Sequence, residues 1–143
     1  EHKTMSMYDQ LQQKAFAGMK GDSRYDLVET FAAENEIPFG VVITQGTSAT
    51  QAKLGGTKPI GIALHSHAVV GGYAKFDAVS VLRKGVAWCV VKDSEAITAG
   101  SAVSFDPASG KVAKTGTALP NATFKTAVVD CGKYGKLALV ELA

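Results

Sequence analysis

The 143-residue sequence predicts a mainly β fold, a small β-barrel or jelly-roll-like sandwich with an N-terminal arm. Three observations predict it. From Ile37 the apolar residues recur with a period of two, the spacing of a half-buried strand. Fifteen glycines, against four prolines, are scattered along the chain, as many short strands joined by tight turns require. Beyond Ile37 no helical pattern of about ten or more residues appears, which argues against strands alternating with helices.

The elements follow in order. Residues 1–35 differ from the rest and are expected to form an arm and lead-in, with 36–143 as a single β domain. Within the arm, residues 8–20 carry sparse apolar positions at roughly helical spacing, interrupted by Gly18. Any helix is therefore expected before Ile37. The first strand is placed on Ile37, Phe39, Val41 and Ile43, which share one face and end at Gly46. Further strands are expected over 60–64, 78–83, 86–92, 102–105, 111–114, 122–129 and 136–142, with Gly85 dividing two of them behind a polar tip at Arg83 and Lys84. The sharpest local signal is Asp106-Pro107-Ala108-Ser109-Gly110. Proline presets an early turn position, and Gly110 can take the left-handed conformation that a bulged hairpin needs.

Composition narrows the function classes. Apolar residues make up 46% and charged residues 20%, a globular balance rather than a disordered one. The net charge of +2 is too small for the basic face expected of a nucleic-acid binder, and Lys20-Gly21-Asp22-Ser23-Arg24-Tyr25 is mixed in sign. No apolar run reaches the roughly 18 residues of a membrane-spanning helix, so no membrane partner is expected. The first eight residues resemble no signal peptide, and a few residues are expected ahead of Glu1. Cys89, in the apolar run Val86-Ala87-Trp88-Cys89-Val90-Val91, and Cys131 are expected to be buried, reduced thiols, with Trp88 in the core.

The catalytic templates find no match. There is no nucleophile elbow, Walker loop, dinucleotide fingerprint, H-E-x-x-H or C-x-x-C. Gly55-Gly56-Thr57-Lys58 faintly suggests a phosphate loop, but Pro59 forbids the helix that would follow, so a turn is expected. His65 and His67 could share one face of a strand, yet no third ligand stands near them in sequence, and neither metal nor cofactor is expected. Asp22, Asp26, Glu29, Glu34 and Glu36 cluster near the N-terminal region, and a solvated polar face explains them without an acid–base pair. An enzyme is not expected.

A family resemblance runs through the chain in order. Gly18-Met19-Lys20-Gly21-Asp22-Ser23, Val28-Glu29-Thr30 and Glu36-Ile37-Pro38-Phe39-Gly40 resemble the opening of the structural cement proteins of tailed bacteriophages. Pro59-Ile60-Gly61-Ile62-Ala63, then Tyr73, Val79-Ser80-Val81-Leu82 and Gly85 resemble its middle. Ile97-Thr98-Ala99-Gly100-Ser101-Ala102-Val103 looks like the step before the family's hairpin, and Ala122-Thr123-Phe124-Lys125-Thr126-Ala127 with Gly135-Lys136-Leu137-Ala138-Leu139-Val140 like its end. The likeness covers about residues 15–142. The chain departs from the pattern after Gly40, where Val41-Val42-Ile43 replaces basic residues, and it extends further at the N-terminus.

The resemblance implies a barrel or jelly-roll protein, present in many copies, bound outside the shell of the major capsid protein and assembled in the host cytoplasm. It also implies self-association, most simply as a dimer, which would solve the open-edge problem of a small sheet. The arm itself offers Tyr8, Leu11, Phe16 and Met19, large apolar groups on a polar segment, as capsid or inter-subunit contacts. The rival readings are a stand-alone β-sandwich binding or adhesion module, using Tyr73, Phe76 or Tyr134, and a small β-barrel enzyme built around His65 or His67.

Overall fold

The computed structural model describes residues 17–66, 69, 71–93, 95–132 and 135–143, with the side chains of 21–25 left aside. Ten strands form one continuous hydrogen-bonded system: β1 (Lys20–Ala33), β2 (Val42–Gln45), β3 (Gln51–Lys53), β4 (Pro59–Ala63), β5 (Ala78–Val90), β6 (Ala102–Phe105), β7 (Val112–Ala113), β8 (Thr117–Phe124), β9 (Val129–Asp130) and β10 (Lys136–Leu142). No α-helix occurs among the described residues. Of the two architectures expected, the barrel is the one formed.

Five strands close on themselves in the order β1–β3–β2–β4–β5, and β5 returns to β1. Only the β1–β3 pair is parallel, with Ala32 opposite Gln51 and Ala33 opposite Ala52. Closure leaves no free edge within the ring where the ladders are complete. Alternation then sorts the side chains. Phe31, Ile37, Val41, Ile43, Ala63, Tyr73, Val79 and Val81 form one buried cluster, which fills this barrel. Val42, Ile62 and Leu82, on the opposite faces of β2, β4 and β5, join a second cluster.

That second cluster belongs to the other lobe. β5 continues into β10, β8, β6 and β7, and a lone parallel bridge between Val91 and Val112 brings β7 back to the end of β5. Phe105, Phe124, Val103, Val112, Ala138 and Val140 pack there against the three residues from the barrel. A third, smaller cluster gathers Trp88, Val129, Cys131 and Leu137 on the far side of β5 and β10.

β5 is common to both lobes. One of its edges carries β1. The other carries β4 at Val81 and Leu82, then β10 from Gly85 to Val90. Gly85, at φ +125°, marks the point where the partner changes. A β-carbon there would lie 2.5 Å from Asp26 Oδ1. The expectation of two strands with a polar tip at Arg83 and Lys84 is thus corrected: a glycine that reads as a turn is a bend inside one 13-residue strand.

Other boundaries differ for equally local reasons. The strand expected from Ile37 reduces to an isolated bridge to Tyr73, a turn, and then β2. Pro38 supplies no N–H, and Gly40 takes φ +76° with its N–H donating to Ala63 O at 2.8 Å. The face assignment survives, since Ile37, Val41 and Ile43 share a cluster and Phe39 packs on it. β8 starts earlier than expected and stops at Phe124, and β3 is too short to show periodicity. The only described residues before Ile37 in regular structure are strand: Lys20–Ala33 is β1, which pairs with β5 along most of its length. The boundary drawn at residue 35 falls just after it. The weak helical pattern over 8–20 lies mostly outside the described residues.

The hairpin expected at 106–110 is present between β6 and β7. Gly110 has φ +72° and donates to Asp106 O at 2.7 Å, while the Asp106 carboxylate accepts from Ala108 N and Ser109 Oγ. It also joins the lobes, because Gly110 O accepts from Val42 N of the barrel at 2.7 Å.

Candidate interaction surface

Three of the carboxylates singled out for chemistry have structural partners. Asp26 faces Lys20 at 3.0 Å and Glu29 faces Arg83 at 3.5 Å. Glu34 accepts from the N–H and the hydroxyl of Thr47, which holds its carboxyl below the ordinary value. Cys89 and Cys131 are both free and buried; burial pushes both thiols up, aided at Cys131 by the Asp130 charge. Thiolates, the nucleophilic form, are correspondingly disfavoured. The His65 ring lies 4.6 Å from Phe39, tilted by 53°; His67 lies outside the described residues. Among the described residues no three His, Cys, Asp or Glu side chains converge as a metal site would require. Residues 55–58 form the expected turn into β4 rather than a phosphate loop.

Of the four proposed contact residues, Tyr8, Leu11 and Phe16 lie outside the described residues. Met19 is partly buried against its own chain, in the cluster of Trp88 and Leu137. The chain is pinned there by three backbone bonds: Gly18 N to Trp88 O (2.8 Å), Trp88 N to Met19 O (2.8 Å) and His65 N to Gly18 O (3.1 Å). Of the aromatics considered for a binding groove, Tyr73 is buried, donates its hydroxyl to Leu64 O and has its phenol pushed above the ordinary value by burial. Tyr134 lies outside the described residues.

Phe76 is different. It is 76% exposed, the most exposed of the three large apolar side chains that stand out at the surface among the described residues; the others are Leu27 and Val28 on β1. Its φ is +76°, a conformation that costs a bulky residue roughly 1–3 kcal/mol. Four hydrogen bonds impose it. Phe76 N donates to Ala33 O (2.7 Å), Ala33 N to Asp77 O (2.9 Å), Asp77 N to Ala74 O (3.0 Å) and Ala74 N to Asp77 Oδ2 (2.8 Å). The Lys75 ammonium sits 5.1 Å from the ring centroid. Periodicity could not have flagged this residue, because its special feature is a backbone angle set by the end of β1.

Beside this turn lies an open hollow of about 500 Å³ with Glu36, Ile37, Pro38, Leu54, Tyr73 and Ala74 in its wall. Its Leu54 wall is fixed by Asn35, whose side-chain amide donates to Leu54 O (2.9 Å) and accepts from Leu54 N (3.0 Å).

A closed barrel fused to a second lobe through one shared strand defines an all-β protein among the described residues. The chain belongs to a phage family: the model for "Structural cement protein (E217 gp24/Pam3 gp6)" matches residues 4–143. Among solved structures, a chain from "The capsid of Myoviridae Phage XM1" is similar in fold, with a TM-score of 0.69, 19% identity and 88% of each chain covered. A second, the head fiber gp8.5 N base of bacteriophage phi29, aligns at a TM-score of 0.48 and 10% identity over 83% of this chain and 95% of its own. No curated protein matches the sequence.

Proposed function

We propose that the protein binds the outside of a phage capsid, contacts the major capsid protein and stabilises its lattice, as a homodimer added during assembly in the host cytoplasm. The supporting observation is the family match over nearly the whole chain. Physics favours the role. A lattice under internal pressure is held by many modest contacts acting together, so each copy needs a rigid body more than a deep site. Two fused cores give such a body. On this reading the protein carries out no catalysis, needs no cofactor and has no nucleic-acid or membrane partner.

The arm is the proposed clamp. Tyr8, Leu11 and Phe16 reach a neighbouring subunit, and Met19, seated on Trp88, is the point where the clamp joins the body. Capsids lacking the protein, mixed with it and sedimented, should carry it at fixed stoichiometry and survive heating better than bare ones. Removing residues 1–17 should leave the body folded and soluble while weakening attachment or self-association. Failure of the intact chain to sediment with capsids at any concentration would sink the attachment reading.

A further inference from the structure

We infer that the hollow at the turn from β3 to β4 is an oxyanion site, where Lys53 and Lys58 together hold a carboxylate from an acidic segment of a protein partner. The inference deepens the proposed function, on which that partner is the major capsid protein, and it rests on that reading only for the partner's identity.

The site is built from β2 outward. Thr44 is the one polar residue in the buried core of the described residues. Its hydroxyl donates to Lys53 O at 2.9 Å and accepts from Gly56 N at 3.0 Å, so one buried oxygen pins both the start and the middle of the turn. The next residue does the same for the far end, because Gln45 N donates to Lys58 O at 2.9 Å. Thr44 lies opposite Lys53 on β3 and opposite Pro59 on β4. Two strand spacings therefore separate the lysine backbones, roughly 10 Å. Each four-carbon stem can bring its ammonium to the middle of that gap. Gly56 makes room for one of them: a β-carbon there would lie 3.2 Å from Lys53 Cε.

The charge balance names the ligand. The hollow, about 350 Å³, is lined by Gln45, Lys53, Gly55, Gly56, Thr57 and Lys58, with no carboxylate among them. Neither lysine joins an ion pair among the described residues. Glu34 feels the Lys53 charge, but its carboxylate is held by Thr47 outside this wall. The N–H groups of Gly55 and Thr57 meet no protein acceptor among the described residues. Two cations and free donors on a rigid turn suit an oxyanion. A nucleic acid is the wrong source, since its binders recruit on the order of 6–10 phosphate contacts and this chain has a net charge of only +2. An acidic protein surface needs only one carboxylate here. Such exposed pairs are weak singly and screened by salt, which suits a contact repeated over a lattice.

The test uses the full-length chain, with hexaglutamate and inorganic phosphate as probes at equal ionic strength. Hexaglutamate should shift the amides of Gly55, Thr57 and Lys58 saturably in NMR spectra, and bind more tightly than phosphate. The double variant Lys53→Gln/Lys58→Gln should keep the fold by circular dichroism and weaken hexaglutamate binding about 10-fold. Lys125→Gln, which removes an equal charge elsewhere, should leave it unchanged. No saturable shift, an equal loss in Lys125→Gln, or phosphate bound as tightly as hexaglutamate would each overturn the inference. Capsid sedimentation then separates the two readings. Wild type that takes up hexaglutamate at this turn but ignores capsids sinks the attachment alone. Capsid binding undiminished in the double variant sinks the site's role in docking alone.

Discussion

The two lobes are built from similar strands but sealed differently. The first is closed by backbone, since every neighbour in the ring β1–β3–β2–β4–β5 is a strand pair. The second curls through β5–β10–β8–β6–β7 and is completed by the isolated Val91–Val112 bridge and the bond from Lys92 N to Val112 O at 2.9 Å. What holds it is packing: Phe105, Phe124 and Val112 share one cluster with Val42, Ile62 and Leu82, which are the outer faces of barrel strands. The first lobe has its own interior, while the second packs its core against the outside of the first. Closure by hydrogen bonds and closure by a borrowed surface are thus alternative answers to the problem of a small sheet's open edges.

If the second lobe depends on the first in this way, the largest effect should come from its centre. Phe105 is fully buried, and Phe105→Ala should cost about 3–5 kcal/mol, read from urea unfolding. The loss should appear in one transition, coincident by circular dichroism and Trp88 fluorescence, because the cluster spans both lobes. Two separated transitions would break the comparison. A smaller effect should come from the clip between the lobes. A β-carbon at Gly110 would meet Val42 O at 2.5 Å at a φ of +72°. Gly110→Ala should therefore cost about 2 kcal/mol, of which about 1–2 is the left-handed conformation itself. It should also speed amide exchange at Val42 more than at Ile62.

The smallest effect should be confined to the rim of the barrel. Glu34 has its carboxyl lowered below the ordinary value of 4.5 by its bonds to Thr47. A group depressed on folding stabilises the fold above its unfolded value and loses that contribution as pH falls through the folded one. Glu34 should therefore titrate below 4.5 by NMR, and Thr47→Val should raise its midpoint. Unfolding stability should fall slightly below about pH 4.5 in the wild type and less in the variant. A Glu34 midpoint at the ordinary value would remove this rim contact from the account.

Much of the second lobe was legible in the sequence and less of the first. Strands over 102–105 and 136–142 appear where alternation and turn chemistry place them, because their borders are set by local residues. The hairpin at Gly110 is legible for the same reason. β1 was not: its outward positions Leu27, Val28, Glu29 and Thr30 are exposed, so no apolar period marks it, and pairing with β5 makes it a strand. β5 looked like two strands because a glycine looks the same in a turn and in a bend. The interaction surface was the least legible. Phe76 was named as one of several aromatics, but its projection follows from hydrogen bonds made by Ala33, more than forty residues earlier.

The shared strand has a consequence for descent. Most multi-lobed proteins can exchange a lobe between lineages, because a break between two cores leaves each core whole. Here Ala78–Val90 supplies a wall to both lobes, and along one edge its partner changes from β4, which precedes it in the chain, to β10, which follows it. A recombination joint within it would replace half of each lobe's wall at once. The two lobes should therefore be inherited as a unit, and novelty in relatives should accumulate in the turns and the arm, where a sequence can change without asking both cores to agree.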